Sequence, residues 1–337
     1  MSEIDVNTRY DKHIKIGNIG DEGQRIISAK KVAVIGCGAL GTNSANLLVR
    51  AGVGALLVVD RDVVDLDNLH RQVLFSEQDV GTPKSQTAAE KLKTVNSEVD
   101  IRSLIRDVNS SNIAEIVSGY DLIIDGTDNI PVRLLINDIS VREGIPWVYG
   151  GVLGTGGMVM NITEGGPCLR CLIPEVPEPG DIPTCETMGV LNTVPAATAA
   201  LQVTEALKIL MKKDHMRGLL QFDIWDNRFN RHVFNRNPDC ECCGKREFVF
   251  LEEANEELIT VLCDGSVQII LPGTSEADLK AIAGKLKGVK NLEVNPFRLE
   301  FEADGKKVTL FRDRRAIIRG TSDKGIARSI YSKYLGL

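Results

Sequence analysis

Residues 30–60 constrain the fold of this chain more than any other stretch of its 337 residues. Residues 32–35 form a short apolar run rich in β-branched side chains, which predicts a buried parallel strand. The run stops at a G-x-G-x-x-G turn, after which apolar residues recur at helical spacing until Gly52 and Gly54. A second apolar run then ends at Asp60, an acid about 20 residues past the glycines. The stretch therefore predicts a β-α-β unit.

This glycine turn and its acid are arranged as a nucleotide would require. Backbone N–H groups at the start of a helix attract phosphate. An acid at the end of the second strand can accept hydrogen bonds from a ribose. The residues concerned are Gly36, Gly38, Ala39, Gly41 and Asp60. A glycine turn without any ligand is the alternative, and the flanking strand, helix and acid argue against it.

Length and composition predict a soluble, two-domain protein. A chain of 337 residues can bury one large core and a second small one. The net charge is -6, and nothing in it indicates a surface for nucleic acid or an anionic membrane. No apolar run approaches the roughly 20 residues of a spanning helix, so we expect a cytoplasmic protein.

Strands and helices continue to alternate after the first unit. A long polar loop, residues 61–75, follows the second strand, and ligands tend to lie at the carboxyl ends of parallel strands. We predict helices over residues 84–95 and 109–118. A buried strand at residues 122–124 follows them.

This last strand ends in two acids and an asparagine, Asp125, Asp128 and Asn129. Such residues stand where open α/β sheets bind ligands. They could equally provide an N-cap for the next helix, because Thr127, Asp128 and Asn129 are all good capping residues. The sequence alone leaves both interpretations open.

Cysteine spacing indicates a metal site. In a long cytoplasmic chain, eight cysteines point to metal or thiol chemistry and away from disulfides. Four of them form two C-x-x-C pairs, Cys168 with Cys171 and Cys240 with Cys243. Four thiolates make the closed tetrahedral shell of a structural zinc ion. The alternatives are free thiols, or Cys242 in place of Cys240.

From residue 247 onward the chain predicts a small α+β domain with one antiparallel sheet. We therefore divide the chain into domains at residues 1–246 and 247–337. A long helix over residues 194–213 and a strand over residues 219–225 precede that boundary. The strands predicted after it are residues 258–263, 267–271, a strand near 292, 299–301, 308–311 and 316–318, with helices at 275–286 and 322–334.

Taken together, these motifs resemble the MoeB/ThiF branch of the ubiquitin-activating-enzyme superfamily. The resemblance covers roughly residues 8–245 and rests on the glycine turn, residues 68–72, Pro83-Lys84, residues 127–129 and both cysteine pairs. It implies a Rossmann-like ATP-binding domain with a mixed sheet and structural zinc knuckles. Members use ATP and Mg²⁺ to adenylate the C-terminal Gly-Gly carboxylate of a ubiquitin-like sulfur-carrier protein, and they act as dimers.

The resemblance also assigns roles to individual residues. A carboxylate that attacks a phosphate brings two anions together, so catalysis needs cations, a metal and alignment more than an acid or base. Arg71 and Lys84 match the phosphate-binding cations, and Asp128 matches the magnesium ligand, with Asn129 beside it. The further nucleotide contacts that the resemblance implies are Asp60, Asp67, Asn68 and Gln72.

Two matches to the family depart from its pattern or depend on context. Lys12 stands where relatives commonly carry an arginine that reaches the partner subunit's phosphates, and lysine keeps the charge but loses the fork. Cys185 matches the loop cysteine that ThiF-like members link to the activated carrier. An ordinary loop thiol is the alternative for Cys185.

The pathway expected for such an enzyme is thiamine thiazole or molybdopterin synthesis. A cysteine desulfurase or a rhodanese-type protein would then donate the sulfur. Two other functions remain to be separated from this one. An NAD-dependent oxidoreductase shares the glycine turn and Asp60, and a non-catalytic protein could bind the carrier without releasing pyrophosphate.

Overall fold

The computed structural model describes residues 9–176, 185–252, 258–261, 265–270 and 277–336. The chain divides into two compact units, Met1–Val176 with Met188–Glu253, and Pro177–Thr187 with Ala254–Leu337. Residues 177–184, a segment with three prolines that precedes Cys185, lie outside the described residues. The end of the strand predicted at 258–263 and the start of the helix predicted at 275–286 also lie outside them.

The first unit contains one eight-stranded sheet. Its strands are β1 Lys31–Ile35, β2 Ala55–Val59, β3 Asp100–Leu104, β4 Leu122–Asp125, β5 Trp147–Leu153, β6 Gly156–Ile162, β7 Leu219–Asp223 and β8 Arg228–His232. Their order is β3-β2-β1-β4-β5-β6-β7-β8. Strands β1 to β5 pair in parallel, whereas β6, β7 and β8 pair antiparallel. The sheet is therefore mixed, and the chain order reverses on either side of β1.

Helices alternate with strands β1 to β5 as expected, and further helices lie before β1, between β6 and β7, and after β8. They are α1 Asp11–Ile14, α2 Gly20–Ser28, α3 Ala39–Ala51, α4 Lys84–Val95, α5 Ile113–Val117, α6 Ile130–Glu143, α7 Leu169–Leu172, α8 Cys185–Met188, α9 Thr193–Leu210 and α10 Val249–Glu252. Gly52 ends α3 in the left-handed conformation, at φ 78°, which glycine adopts without strain. Among the helices of the described residues, none is long and apolar enough to cross a membrane.

Successive residues of the parallel strands pack against opposite faces of this sheet. Val34 and Val58 point to a core shared with α3, α4 and α9. Ile35 and Val59 point to a second core, which contains α5, α6 and the cysteine pairs. Both faces are covered, as parallel strands require. The ligand crevice of such a sheet lies outside the carboxyl ends of the strands where the order reverses, here β1 and its neighbours.

The second unit contains a six-stranded antiparallel sheet. Its strands are β9 Leu258–Val261, β10 Val267–Ile270, β11 Lys290–Val294, β12 Arg298–Ala303, β13 Lys306–Phe311 and β14 Ala316–Arg319, in the order β11-β12-β13-β14-β10-β9. Helices α11 Leu279–Lys285 and α12 Lys324–Leu335 accompany the sheet. Phe301 and Leu310 pack with Ile330 of α12 in its core. The prediction of an α+β fold with one antiparallel sheet is confirmed for the described residues.

Strand β8 and helix α5 are among the elements that differ from the sequence prediction. Strand β8 was not predicted, because all five of its residues are exposed and no apolar alternation marks it. Helix α5 begins at Ile113, later than the predicted 109. The side chains of Asn109 and Asn112 explain the delay, since both accept hydrogen bonds from nearby backbone N–H groups and hold a turn there.

Candidate nucleotide site and cysteine cluster

Glycines of the turn after β1 serve two different purposes. A β-carbon on Gly41 would lie 1.9 Å from the Gly36 carbonyl oxygen, and one on Gly36 would lie 2.6 Å from the Gly126 carbonyl oxygen. These glycines therefore allow three backbone segments to touch. A β-carbon on Gly38 would meet only the Gln72 side-chain nitrogen, at 3.9 Å. Gly38 thus leaves open space above the turn, as a phosphate would need.

Helix α3 begins without a side-chain cap. Gly38 occupies its N-cap position, and among the described residues no side chain accepts a hydrogen bond from the first N–H groups. Unsatisfied N–H groups at Ala39 and beyond, together with the macrodipole, favour an anion. The turn therefore fits the phosphates of a nucleotide.

Asp60, the predicted ribose acid, lies at the carboxyl end of β2. Its carboxylate accepts hydrogen bonds from the N–H of Cys37 at 2.6 Å and from the N–H of Asp62 at 2.7 Å. Burial raises the pKa of Asp60, although Lys84 opposes that rise. A carboxylate accepts about four hydrogen bonds, so Asp60 keeps capacity for ribose hydroxyls.

Lys84 is the first residue of α4, and its side chain is only 10% exposed. Its Nζ atom lies 3.8 Å from Oδ2 of Asp62. Burial alone would lower the pKa of Lys84, but Asp62, Asp60 and Asp128 outweigh it and hold that pKa above its ordinary value. The side chain therefore presents a charged ammonium group beside the ribose acid.

A short helical turn, Leu66–Asn68, organises the other predicted nucleotide residues. Arg71 donates from Nη1 to the Asp67 carbonyl oxygen at 3.0 Å and from Nη2 to Oδ1 of Asn68 at 3.4 Å. Gln72 donates to the same Asn68 oxygen, while Asn68 donates to the Asp67 carboxylate. The four predicted residues of this loop thus form one hydrogen-bonded group.

The loop after β4 separates its two acids. Asp125 is fully buried and accepts a hydrogen bond from Nε of Arg133 at 3.0 Å. Arg133 also donates to the carbonyl oxygens of Thr127 and Gly150. Asp128 is exposed, and none of the described residues forms a hydrogen bond with its carboxylate. Asp125 therefore holds the loop, and Asp128 is the acid available to a ligand.

Both interpretations of this loop apply, each to a different residue. The Asn129 side chain accepts a hydrogen bond from the N–H of Val132 at 2.9 Å and so caps α6. Asn129 therefore meets the capping interpretation, whereas Asp128 keeps the geometry of a possible cation ligand.

Sequence reasoning missed two arginines at this edge of the sheet, Arg133 and Arg61. Arg61 is paired with the Asp107 carboxylate beyond the end of β3. Burial would lower the pKa of Arg61, but Asp107, Asp62 and Asp128 raise it. Arg61 directly follows Asp60, and Arg133 lies in the second turn of α6, the helix after the loop that contains Asp125 and Asp128. A basic residue at either place is the signal that could have identified them.

Lys12 lies far from this edge in its own chain. The hydroxyl of Tyr10, two residues earlier, accepts a hydrogen bond from Asn96 at 2.7 Å, and its ring lies against Gly52. Gly52 ends α3 and Asn96 follows the end of α4, whereas the glycine turn begins α3. Thirteen residues of α3 span about 20 Å. The exposed Lys12 side chain is therefore remote from the glycine turn of the same chain.

The two predicted cysteine pairs converge. The sulfur atoms of Cys168, Cys171, Cys240 and Cys243 all lie within 4.8 Å of one another. Those of Cys168 and Cys240 are 3.7 Å apart, and those of Cys171 and Cys243 are 3.4 Å apart. Tetrahedral zinc with bonds of about 2.3 Å would separate its sulfur ligands by about 3.8 Å. The donor set and its spacing therefore fit zinc.

Local geometry supports this cluster. A β-carbon on Gly244 would lie 2.2 Å from the Pro238 carbonyl oxygen, so the turn after Cys243 requires glycine. The N–H of Asn237 donates to the sulfur of Cys171 at 3.5 Å. Cys240 completes the cluster, and the neighbouring Cys242 is buried with an amide hydrogen bond from Asn137.

Cys37, Cys185 and Cys263 are not part of the four-cysteine cluster. Cys37 is buried inside the glycine turn, as expected for a packing residue. Helix α8 begins at Cys185, whose side chain lies outside the described residues, as does all of Cys263.

Comparison with protein families shows which family the chain is related to. The sequence model of the ThiF family matches residues 10–242. The chain belongs to the ThiF family. This confirms the resemblance seen in the motifs. Among relatives, the sulfur carrier protein ThiS adenylyltransferase of Bacillus subtilis is 40% identical over 336 residues, which cover 97% of this chain and 99% of that protein. Its similarity therefore extends through the second unit.

Another relative of this ThiF-family chain covers less of it. The SAMP-activating enzyme E1 of Haloferax volcanii is 41% identical over 239 residues, 70% of this chain and 88% of that protein. Among solved structures, E. coli MccB with ATP has a TM-score of 0.62 and 23% identity, and the match covers 71% of this chain and 75% of MccB. The MccB likeness concerns the fold alone.

Proposed function

We propose that this protein is an ATP-dependent adenylyltransferase that activates the C-terminal Gly-Gly carboxylate of a ubiquitin-like sulfur-carrier protein. One observation carries the proposal: three features of the described residues, the start of α3 without a side-chain cap, the buried cation Lys84 and the acid Asp128 without a hydrogen-bond partner, all lie at the carboxyl ends of β1, β2 and β4. The nearly full-length similarity to a ThiS adenylyltransferase supports it.

The reaction joins two anions that repel each other, and the residues of this site would reduce that repulsion. A carboxylate oxygen of the carrier attacks the α-phosphorus of ATP, and the bond to the pyrophosphate oxygen breaks. Arg71 and Lys84 would neutralise the phosphates, and the N–H groups at the start of α3 would hold them. Asp60 would orient the ribose. Alignment and charge neutralisation then lower the barrier without an acid or base.

Asp128 is the proposed ligand of Mg²⁺, which prefers carboxylate oxygens and keeps several waters. When bound, the ion would neutralise charge on the phosphates. Asn129 contributes through its cap, which fixes the start of α6 beside Asp128. The proposed nucleotide contacts also include Asp67, Asn68 and Gln72, whose hydrogen bonds hold Arg71 in place.

A structural zinc ion is proposed for the four-cysteine cluster. The four sulfurs fill a tetrahedral shell and leave no position open, so the ion would take no part in the chemistry. It would join two segments distant in the sequence, the α7 region and the loop before α10. A reduced cytoplasmic setting suits four free thiolates.

The remote position of Lys12 supports a homodimer in which this residue serves the partner subunit's site. Within one chain, Tyr10 holds the segment that contains Lys12 at the carboxyl-terminal end of α3, about 20 Å from the glycine turn that begins this helix. For Cys185, covalent linkage to the activated carrier is part of the proposal, with a cysteine desulfurase or rhodanese-type protein as sulfur donor. The second unit is proposed to dock the carrier or such a donor.

An exchange assay tests the main proposal. Purified protein, ATP, Mg²⁺ and either a ThiS-like or a MoaD-like carrier are incubated with labelled pyrophosphate. Label should enter ATP only with a carrier that ends in Gly-Gly, and a carrier without its last glycine is the matched control. Absence of exchange with every Gly-Gly carrier would refute the activity. Intact mass spectrometry of the same mixtures identifies the preferred carrier and any product linked to Cys185.

A further inference from the structure

Asp62 lies between the two buried cations of the candidate site. Its Oδ2 atom is 3.8 Å from Nζ of Lys84, and its Oδ1 atom is 3.8 Å from Nε of Arg61. Arg61 is in turn fixed by the Asp107 carboxylate. The Asp62 side chain is 45% exposed, whereas those of Lys84 and Arg61 are 10% and 21% exposed. The partly exposed carboxylate therefore faces two largely buried positive charges.

Backbone hydrogen bonds fix Asp62 relative to Lys84. The N–H of Lys84 donates to the Asp62 carbonyl oxygen at 2.9 Å. The N–H of Asp62 donates to Oδ1 of Asp60 at 2.7 Å, so the ribose acid holds it from the other side. These bonds keep the Asp62 backbone at a defined position between the start of α4 and Asp60. A change of its side chain can therefore alter the charge beside Lys84 with little movement of the backbone.

The ammonium group of Lys84 has donors to spare. It carries three N–H donors, and its 3.8 Å separation from Asp62 is too long for a hydrogen bond. Among the described residues, none accepts a hydrogen bond from it. The groups that face it are Asp60, Asp62, Asp65, Asp128 and the Cys37 thiol. Attraction to these acids keeps the ammonium in place while its donors stay available.

We propose that Asp62 is a positioning residue for Lys84: its carboxylate attracts the buried ammonium and directs it into the site until a phosphate of ATP replaces that carboxylate as its partner. Asp62 need not contact ATP to do this. The kinetic consequence rests on the proposed adenylation, whereas the effect on Lys84 itself does not. The two can therefore be tested separately.

The charge balance around Lys84 supports this role. Burial would lower the pKa of Lys84, and Asp62 is the strongest of the carboxylates that raise it. Asp62→Asn keeps the shape of the side chain and removes its charge. Desolvation then acts against one fewer opposing charge, so the pKa of Lys84 should fall, by about one unit for a charge at this distance.

The first experiment measures Lys84 directly and needs no catalysis. Full-length protein is acetylated briefly over a range of pH, and peptide mass spectrometry gives the rate at Lys84. Asp62→Asn should move the titration midpoint down by about one pH unit, and Asp62→Glu should restore it. Glu90→Gln, an exposed charge loss on α4, is the control and should leave it unchanged. Midpoints that agree within error for wild type and Asp62→Asn would overturn the proposal.

The second experiment measures pyrophosphate exchange. The pH profile of kcat/KM for ATP reports the free enzyme, so its alkaline limb should move down by about one unit in Asp62→Asn. At neutral pH, kcat should fall about tenfold with little change in KM, because the lost alignment acts on the transition state. Recovery in Asp62→Glu separates this role from a folding defect. A profile identical to wild type would contradict the proposal, whereas no exchange in wild type would refute only the adenylation.

Discussion

The loops after β1 and β4 lie side by side at one edge of the sheet, yet they begin their helices in opposite ways. Helix α3 starts at Gly38 with no side-chain cap from the part of the chain that the structure describes, whereas the Asn129 side chain caps the start of α6. The first loop offers backbone N–H groups to a ligand. The second satisfies its backbone internally, through Asp125 and Arg133, and offers one side chain, Asp128. The proposed phosphate site and the proposed Mg²⁺ site would thus be built from the same type of turn.

The largest effect is expected when the internal support of the second loop is removed. Arg133→Ala leaves the fully buried Asp125 without its cation, which should lower the free energy of unfolding by about 3–5 kcal/mol. Urea denaturation measures the change. Arg133→Lys keeps the charge but loses the multiple hydrogen bonds, so it should lose less. An unchanged urea midpoint in Arg133→Ala would mean that the loop is held by something else.

Removal of the exposed acid Asp128 should lower the activity and leave the stability of the fold almost unchanged. Asp128→Ala is expected to reduce pyrophosphate exchange by about 10²–10³-fold, the usual effect of losing one charge-stabilising group. The free energy of unfolding should change by less than about 0.5 kcal/mol, because the side chain is exposed. Steady-state exchange and urea denaturation of the same preparation distinguish the two. A matching loss of stability would assign Asp128 to the framework of the loop.

Two alanine substitutions in the first loop should behave differently. The added carbon in Gly41→Ala meets the Gly36 carbonyl oxygen, so we expect a loss of about 1–3 kcal/mol. Gly38→Ala meets no atom closer than 3.9 Å and should unfold like wild type. Its methyl group would instead occupy the phosphate space and raise KM for ATP. Equal denaturation curves for the two variants would show that the close contact between Gly41 and Gly36 does not contribute to the stability of the protein.

The smallest effect is expected for the cap of the second loop. Asn129→Ala removes the hydrogen bond to the N–H of Val132 and should lower the free energy of unfolding by about 1 kcal/mol. Asn129→Ser restores a capping oxygen and should recover most of it. Thermal denaturation can resolve both. If Asn129→Ala reduced exchange as strongly as Asp128→Ala, the distinction between cap and ligand would be wrong.

Much of the first loop could be predicted because its structure depends on local sequence. The β-α-β unit, the glycines and Asp60 are contiguous or regularly spaced, and the structure has them as the pattern indicates. The cysteine pairs could also be predicted from the sequence, since the C-x-x-C spacing itself brings two sulfurs together.

The second loop was less predictable because its support comes from elsewhere. The partners of Asp125 include Arg133 of the next helix and the backbone of Gly150 on β5, and no local pattern specifies such contacts. The sequence alone does not decide whether Asn129 caps a helix or binds a ligand, since an asparagine suits both roles. Strand β8 was missed for a different reason, as a fully exposed edge strand carries no apolar period.

The contact of Gly36 with both Gly41 and Gly126 predicts which residues should be retained in other proteins with this fold. Every other amino acid adds a β-carbon, so these positions resist replacement in any chain that keeps the fold, whether or not it still consumes ATP. A copy that has lost its chemistry should therefore retain the three glycines and drift first at Asp128 and Lys84. We therefore expect the glycines to indicate that the fold is kept, and the two charged residues to indicate whether the proposed activity is kept.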